Sequence, residues 1–143
     1  SNLHAAFGYA QIKKIDEFIS RRRQIRSNYI HYLDNIDAGI RILQDNPNQF
    51  SNAWLTVVNF SGKGAIKKRN AVHAALTENS VESRFVWKPM SMQPIFRHNK
   101  SYTFGNSEKA FKTSLCLPSH PDLSKNDQEK IVYIIKKTIK EIK

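Results

Sequence analysis

The segment 124–142 constrains this chain more than any other. Ile131, Val132, Ile135, Ile139 and Ile142 recur at helical spacing and make one apolar stripe. Ser124 and Asp127 stand before it as a capping box. A helix with a single apolar stripe has to bury it against a second layer. The best candidate for that layer is 54–60, Trp-Leu-Thr-Val-Val-Asn-Phe, which is β-branched and aromatic and predicts a strand. Gly62 and Gly64 end it.

The remaining segments fall around this pair. Leu3, Phe7, Ala10, Ile15, Phe18, Ile19, Ile25, Tyr29 and Leu33 predict one long helix over 3–35. Ser1-Asn2 can cap it. Gly8 interrupts it at a cost of about 1 kcal/mol unless another backbone packs there. An apolar pattern at full strength from Leu3 predicts a chain cut from something larger. Turn chemistry follows at Asp34-Asn35, Asp37-Ala38-Gly39 and Asp45-Asn46-Pro47-Asn48. Ile40 and Ile42 alternate with Arg41 as in a short strand. Residues 65–79 return to helical spacing through Ile66, Val72 and Leu76, and 81–86 is short and β-prone. Residues 87–106 hold two prolines among large side chains and predict an ordered loop. A short helix over 107–114, capped by Ser107, leads into a buried strand, Leu115-Cys116-Leu117. The order predicts an α+β fold with a small, mostly antiparallel sheet and packed helices.

Composition narrows function by exclusion. The 143 residues are one domain by length, and 40% apolar content suffices for a core. No apolar run approaches the ~18–20 residues that cross a bilayer. The opening residues do not have the form of a signal peptide. A single cysteine, Cys116, forms no internal disulfide and fits a reducing, cytoplasmic setting. The net charge of +11 raises nucleic acid as a partner. Its clusters are Lys13-Lys14, Arg21-Arg22-Arg23 with Arg26, Lys67-Lys68-Arg69, and Lys136-Lys137 with Lys140 and Lys143. Each lies on a predicted helix, where a solvated face is the simpler explanation, and no nucleic-acid-binding motif accompanies them.

Catalysis is not visible residue by residue. His4, His31, His73, His98 and His120 show no metal-ligand spacing, and no metal is expected. No nucleophile elbow, phosphate-binding loop or dinucleotide fingerprint is present. Trp87-Lys88-Pro89-Met90-Ser91-Met92-Gln93-Pro94 is the exception. Its aromatic, cation, thioether, hydroxyl and amide suit either a pocket for a polar, partly anionic ligand or a packed loop over a sheet edge.

Four stretches, in order, resemble the C-terminal part of the DegT/DnrJ/EryC1/StrS family, the fold type I, pyridoxal-phosphate (PLP)-dependent sugar aminotransferases. Residues 2–11, with Lys14, Asp16 and Arg21-Arg22-Arg23, resemble the helix after the family's Arg-Met segment. Ser80-Val81-Glu82-Ser83-Arg84 resembles its Gly-Ile-Glu-Thr-Arg strand. Residues 87–96 resemble its Trp-x-Pro-x-His-x-Gln-Pro loop. Ser107-Glu108 through Leu115-Cys116-Leu117-Pro118-Ser119 resembles its closing helix and Leu-Pro-Ser strand.

The resemblance implies an enzyme that moves an amino group, usually from glutamate, to a nucleotide-linked keto sugar for polysaccharide or glycan biosynthesis. It implies a homodimer whose cofactor, PLP, is held as a lysine Schiff base. The family's lysine, its pyridine-nitrogen aspartate and most phosphate ligands lie upstream of residue 1, so no catalytic or cofactor residue is assigned here. The chain is then a linking helix, 1–35, and a small C-terminal domain, 36–143, inactive by itself and not expected to bind PLP alone. Family position marks Arg84, Trp87, Lys88, Met90, Ser91 and Gln93 for the substrate-side wall. Ser91 stands where the family has histidine, and Ser80 where it has glycine. The competing expectation is a non-catalytic domain that binds a protein, or less favourably a nucleic acid, through its basic helix faces.

Overall fold

The computed structural model describes residues 1–33, 36, 39–46 and 48–142. The turns expected at Asp34-Asn35 and Asp37-Ala38, together with Pro47 and Lys143, lie outside the described residues. The elements run α1 (Asn2–Ile12), α2 (Ile15–Leu33), β1 (Ile40–Ile42), β2 (Thr56–Phe60), α3 (Ala65–Glu78), β3 (Arg84–Phe85), α4 (Asn106–Thr113), β4 (Ser114–Leu117) and α5 (Lys125–Glu141). Two short 3-10 turns, Met90–Met92 and Pro94–Phe96, sit in the loop before α4.

The sheet has the order β1-β2-β4-β3, and every neighbouring pair is antiparallel. Val58 lies opposite Leu115, and Ile40 opposite Phe60. Thr56, Val58 and Phe60 are buried while Val57 and Asn59 are half-buried, the alternation expected of a strand with one face on the core. That core joins Ile25, Tyr29 and Leu33 of α2, Val72 and Leu76 of α3, and Ile131, Val132, Ile135 and Ile139 of α5 to the sheet. The α+β expectation therefore holds, and the stripe of α5 is its largest helical contribution. Its cap is also as read: the Ser124 hydroxyl accepts from the Asp127 N–H at 3.1 Å.

The single helix expected over 3–35 is two. The ladder tightens at Lys14, whose N–H reaches Gln11 only three residues back, and restarts as Phe18 bonds to Lys14. Gly8 is not the break; it lies inside α1, and a Cβ there would meet nothing within 4 Å. α1 has no buried residue, with Leu3, Phe7, Tyr9 and Ile12 all more than 60% exposed. The second half of α2, by contrast, belongs to the same core as the sheet. The cap expected at Ser107 is also displaced: α4 starts at Asn106 from Gly105, whose φ of 74° only glycine adopts cheaply.

The arginines of α2 do not form a solvated face. Arg21 donates from Nε to the Pro121 carbonyl at 3.1 Å and from Nη2 to that of Leu123 at 3.0 Å. Arg23 donates to the Ser51 carbonyl and lies over the Phe50 ring at 3.4 Å. Arg26 pairs with Asp45 at 2.5 Å. The cluster pins two loops to the helix.

α3 ends in a Schellman motif. Val81 N–H reaches the Leu76 carbonyl at 2.9 Å and Ser80 N–H that of Thr77 at 3.0 Å. This puts Ser80 in the left-handed region, φ 59°, and supplies a physical reason for a glycine at this position. Ser80→Gly is expected to stabilise the fold by about 0.5–1 kcal/mol, read as a higher denaturant midpoint. An unchanged or lower midpoint would contradict the assignment.

The α5 cap predicts a pH dependence. The Ser124 hydroxyl donates to Asp127 Oδ2 at 2.6 Å and Lys130 Nζ lies 3.4 Å from Oδ1, in that order holding the Asp127 carboxyl below its ordinary value of 3.8. A folded-state value below the unfolded one stabilises the fold at pH above about 3.8. That contribution fades as pH falls through the lowered value. Thermal midpoints measured from pH 6 to pH 2 should fall less steeply in Asp127→Asn than in the unaltered chain.

Candidate functional site

β3, the loop after β4 and the start of α5 enclose an open cleft of about 780 Å³. Ser80 to Arg84 form one wall and Cys116 to His120 another. Asp127, Lys130 and Ile131 of α5 form the floor, with Arg22 and Trp54 completing the rim. Each wall is positioned by contacts described above or by one more bond. The Tyr29 hydroxyl donates to the Pro118 carbonyl at 3.1 Å, and the Ser119 hydroxyl to the Trp54 carbonyl at 3.0 Å. Burial pushes the Tyr29 hydroxyl pKa up, so it stays a donor across the ordinary pH range.

The six residues marked in the sequence divide into two groups. Arg84 lines the cleft, and its Nε donates to Glu82 Oε1 at 2.8 Å. Trp87 packs against Trp54, ring centroids 5.9 Å apart and tilted by 40°. Arg84 thus lines the cleft itself, and Trp87 adjoins it through Trp54. Lys88, Met90, Ser91 and Gln93 do not line the cleft. The Gln93 amide donates to the Lys88 carbonyl at 3.2 Å, which closes the loop on itself. The Ser91 hydroxyl donates to Glu108 of α4 at 3.3 Å, which ties the loop to that helix. Met90 is 63% exposed.

Arg22, Trp54 and Ser119 were not singled out in the sequence. Trp54 read as strand, whereas it precedes β2 and is 56% exposed; an exposed tryptophan was the available signal. Arg22 was hidden in a run of three arginines. Cys116 borders the cleft, but burial pushes its thiol up, so it stays protonated and a poor nucleophile.

Lys130 is the lysine of the floor; its side chain is 74% exposed and its ammonium lies 3.4 Å from Asp127 Oδ1.

Residues 1–136 match the DegT/DnrJ/EryC1/StrS aminotransferase family. The chain belongs to that family. It is 31% identical over 140 residues to the dTDP-4-amino-4,6-dideoxy-D-glucose transaminase of Escherichia coli, covering 94% of this chain and 37% of that protein. It is 28% identical over 134 residues to the GDP-perosamine synthase of Escherichia coli O157:H7, covering 94% and 34%. In fold it is similar to the aminotransferase TlmJ from Streptoalloteichus hindustanus, with a TM-score of 0.84 at 24% identity over 97% of this chain and 36% of that one. The family chain described here thus spans about a third of the length of these relatives. Among its described residues no helix is long and apolar enough to cross a membrane.

Proposed function

We propose that this family chain is the linking segment (1–35) and small C-terminal domain (36–143) of a longer, cytoplasmic, PLP-dependent aminotransferase. The longer protein transfers an amino group from an amino acid, glutamate by preference, to a nucleotide-linked keto sugar in polysaccharide or glycan biosynthesis. The GDP-perosamine synthase and the dTDP-4-amino-4,6-dideoxy-D-glucose transaminase among its relatives support that substrate class. The cofactor's lysine and the remaining ligands come from the part of the relatives that this chain does not span, and the working unit is a homodimer. The chain alone supplies no catalytic group. Arg84, Trp87, Lys88, Met90, Ser91 and Gln93 form the substrate-side wall, with Arg84 and Trp87 nearest the sugar nucleotide.

The carrying observation is α1. It is apolar along its length yet buries nothing in this chain, which fits an element built to lie against further polypeptide. The test uses the longer protein with PLP and a nucleotide-linked keto sugar. Arg84→Gln is expected to raise the sugar KM about tenfold or more, as loss of a charge-assisted contact does. An unchanged KM would remove Arg84 from the wall.

A further inference from the structure

Arg22 differs from every other basic group on the cleft. Arg84 has Glu82 at 2.5 Å, His120 has Asp122 at 3.3 Å and Lys130 has Asp127 at 3.4 Å. Arg21 and Arg23, its chain neighbours, spend their donors on backbone carbonyls. Arg22 has no such partner among the described residues, and its Nε is shut off from solvent with its hydrogen bond unmade. A guanidinium cannot shed its proton to escape that cost. It sits half-buried on the rim of a cleft whose lining combines the apolar Trp54, Leu55, Leu117, Pro118 and Ile131 with the paired Glu82, Arg84, Asp127 and Lys130.

We infer that this cleft binds a small organic monoanion, a flat apolar body bearing one carboxylate, with Arg22 as counter-ion and Trp54 as the apolar wall. Three considerations set the ligand class. Arg84 lies against Glu82 and Lys130 against Asp127, so among the described cleft residues Arg22 is the permanent cation that has no carboxylate partner. A planar guanidinium fits a carboxylate in two parallel hydrogen bonds. The volume of about 780 Å³ lies in the range of small-molecule sites. The cleft shares Arg84 with the proposed substrate-side wall, but the test uses this chain alone, with no cofactor and no sugar, so its failure leaves the aminotransferase proposal standing.

The test is an NMR titration read at the tryptophan indole N–H groups. The chain has only two tryptophans, Trp54 and Trp87, and they pack together, with Trp54 on the rim of the cleft. The probes are 2-naphthoate and 2-naphthalenemethanol, which share a ring and differ in charge. Naphthoate is expected to shift the Trp54 signal saturably, with a Kd at least tenfold below that of the alcohol. Arg22→Gln should erase the preference while leaving amide shifts of the α5 core in place. If the Gln variant does not fold, Arg22→Lys carries the test: a point charge keeps the preference but weakens naphthoate several-fold. No saturable shift, equal affinity for the two probes, a preference that survives Arg22→Gln, or unchanged naphthoate affinity in Arg22→Lys would each overturn the inference.

Discussion

Ile135→Ala is expected to cost about 2–5 kcal/mol of folding stability. Ile135 is fully buried in the stripe of α5, between the sheet and the other core helices. Truncation removes transfer free energy and leaves a cavity that close-packed neighbours fill only in part. A domain of this size has about 5–15 kcal/mol in total, so the variant is brought near its unfolding limit at 37 °C. Ile135→Val should cost only about 0.5–1.5 kcal/mol. Urea unfolding followed by far-UV circular dichroism checks both. A loss below 1 kcal/mol for the alanine variant would mean that α5 does not hold the sheet.

Arg21→Ala is expected to cost about 1.5–3 kcal/mol, the range for hydrogen bonds made by a charged group. The side chain bridges α2 to the carbonyls of Pro121 and Leu123, more than 90 residues away in sequence. Its removal strands the Pro121 carbonyl in a buried residue. The effect should reach the cleft, because the same loop carries Pro118 to His120. Hydrogen exchange in 118–124 should quicken far more than in β2. Uniform protection across the chain, at unchanged stability, would reassign Arg21 to the surface.

The fold was legible where one period dominated. The stripe of α5, the alternation Ile40-Arg41-Ile42 and the β-branched run into Phe60 each specify an element by what they bury; the first two appear as read, while the strand read over 54–60 starts at Thr56. The segment 3–35 reads as one helix because its apolar pattern continues through Lys13-Lys14, where the backbone tightens. Most of that pattern does not report burial in this chain: in the segment 1–33 only Ile25, Tyr29 and Leu33 are buried. The roles of the α2 arginines are hidden in the sequence for a related reason. Composition counts charges, whereas Arg21, Arg23 and Arg26 act through carbonyls, an aromatic face and an aspartate supplied by distant segments.

The site was less legible than the fold. The loop at 87–96 stood out by composition, and Arg84 lines a cleft that Trp87 adjoins through Trp54. The cleft itself is made of parts with no shared sequence signal: one arginine of three, a tryptophan ahead of a strand, and a Pro-Ser corner after another. The pairing of β2 with β4, with the bonds from Tyr29 to Pro118 and from Ser119 to Trp54, brings them together.

The central claim is that this family chain works as the wall domain of a longer aminotransferase. The most direct measurement is the intact mass of the polypeptide carrying this sequence in extracts of its source, before and after borohydride reduction. The account predicts a mass well above 16.5 kDa, with reduced cofactor on a lysine outside residues 1–143. A polypeptide of 16.5 kDa carrying no cofactor would contradict it.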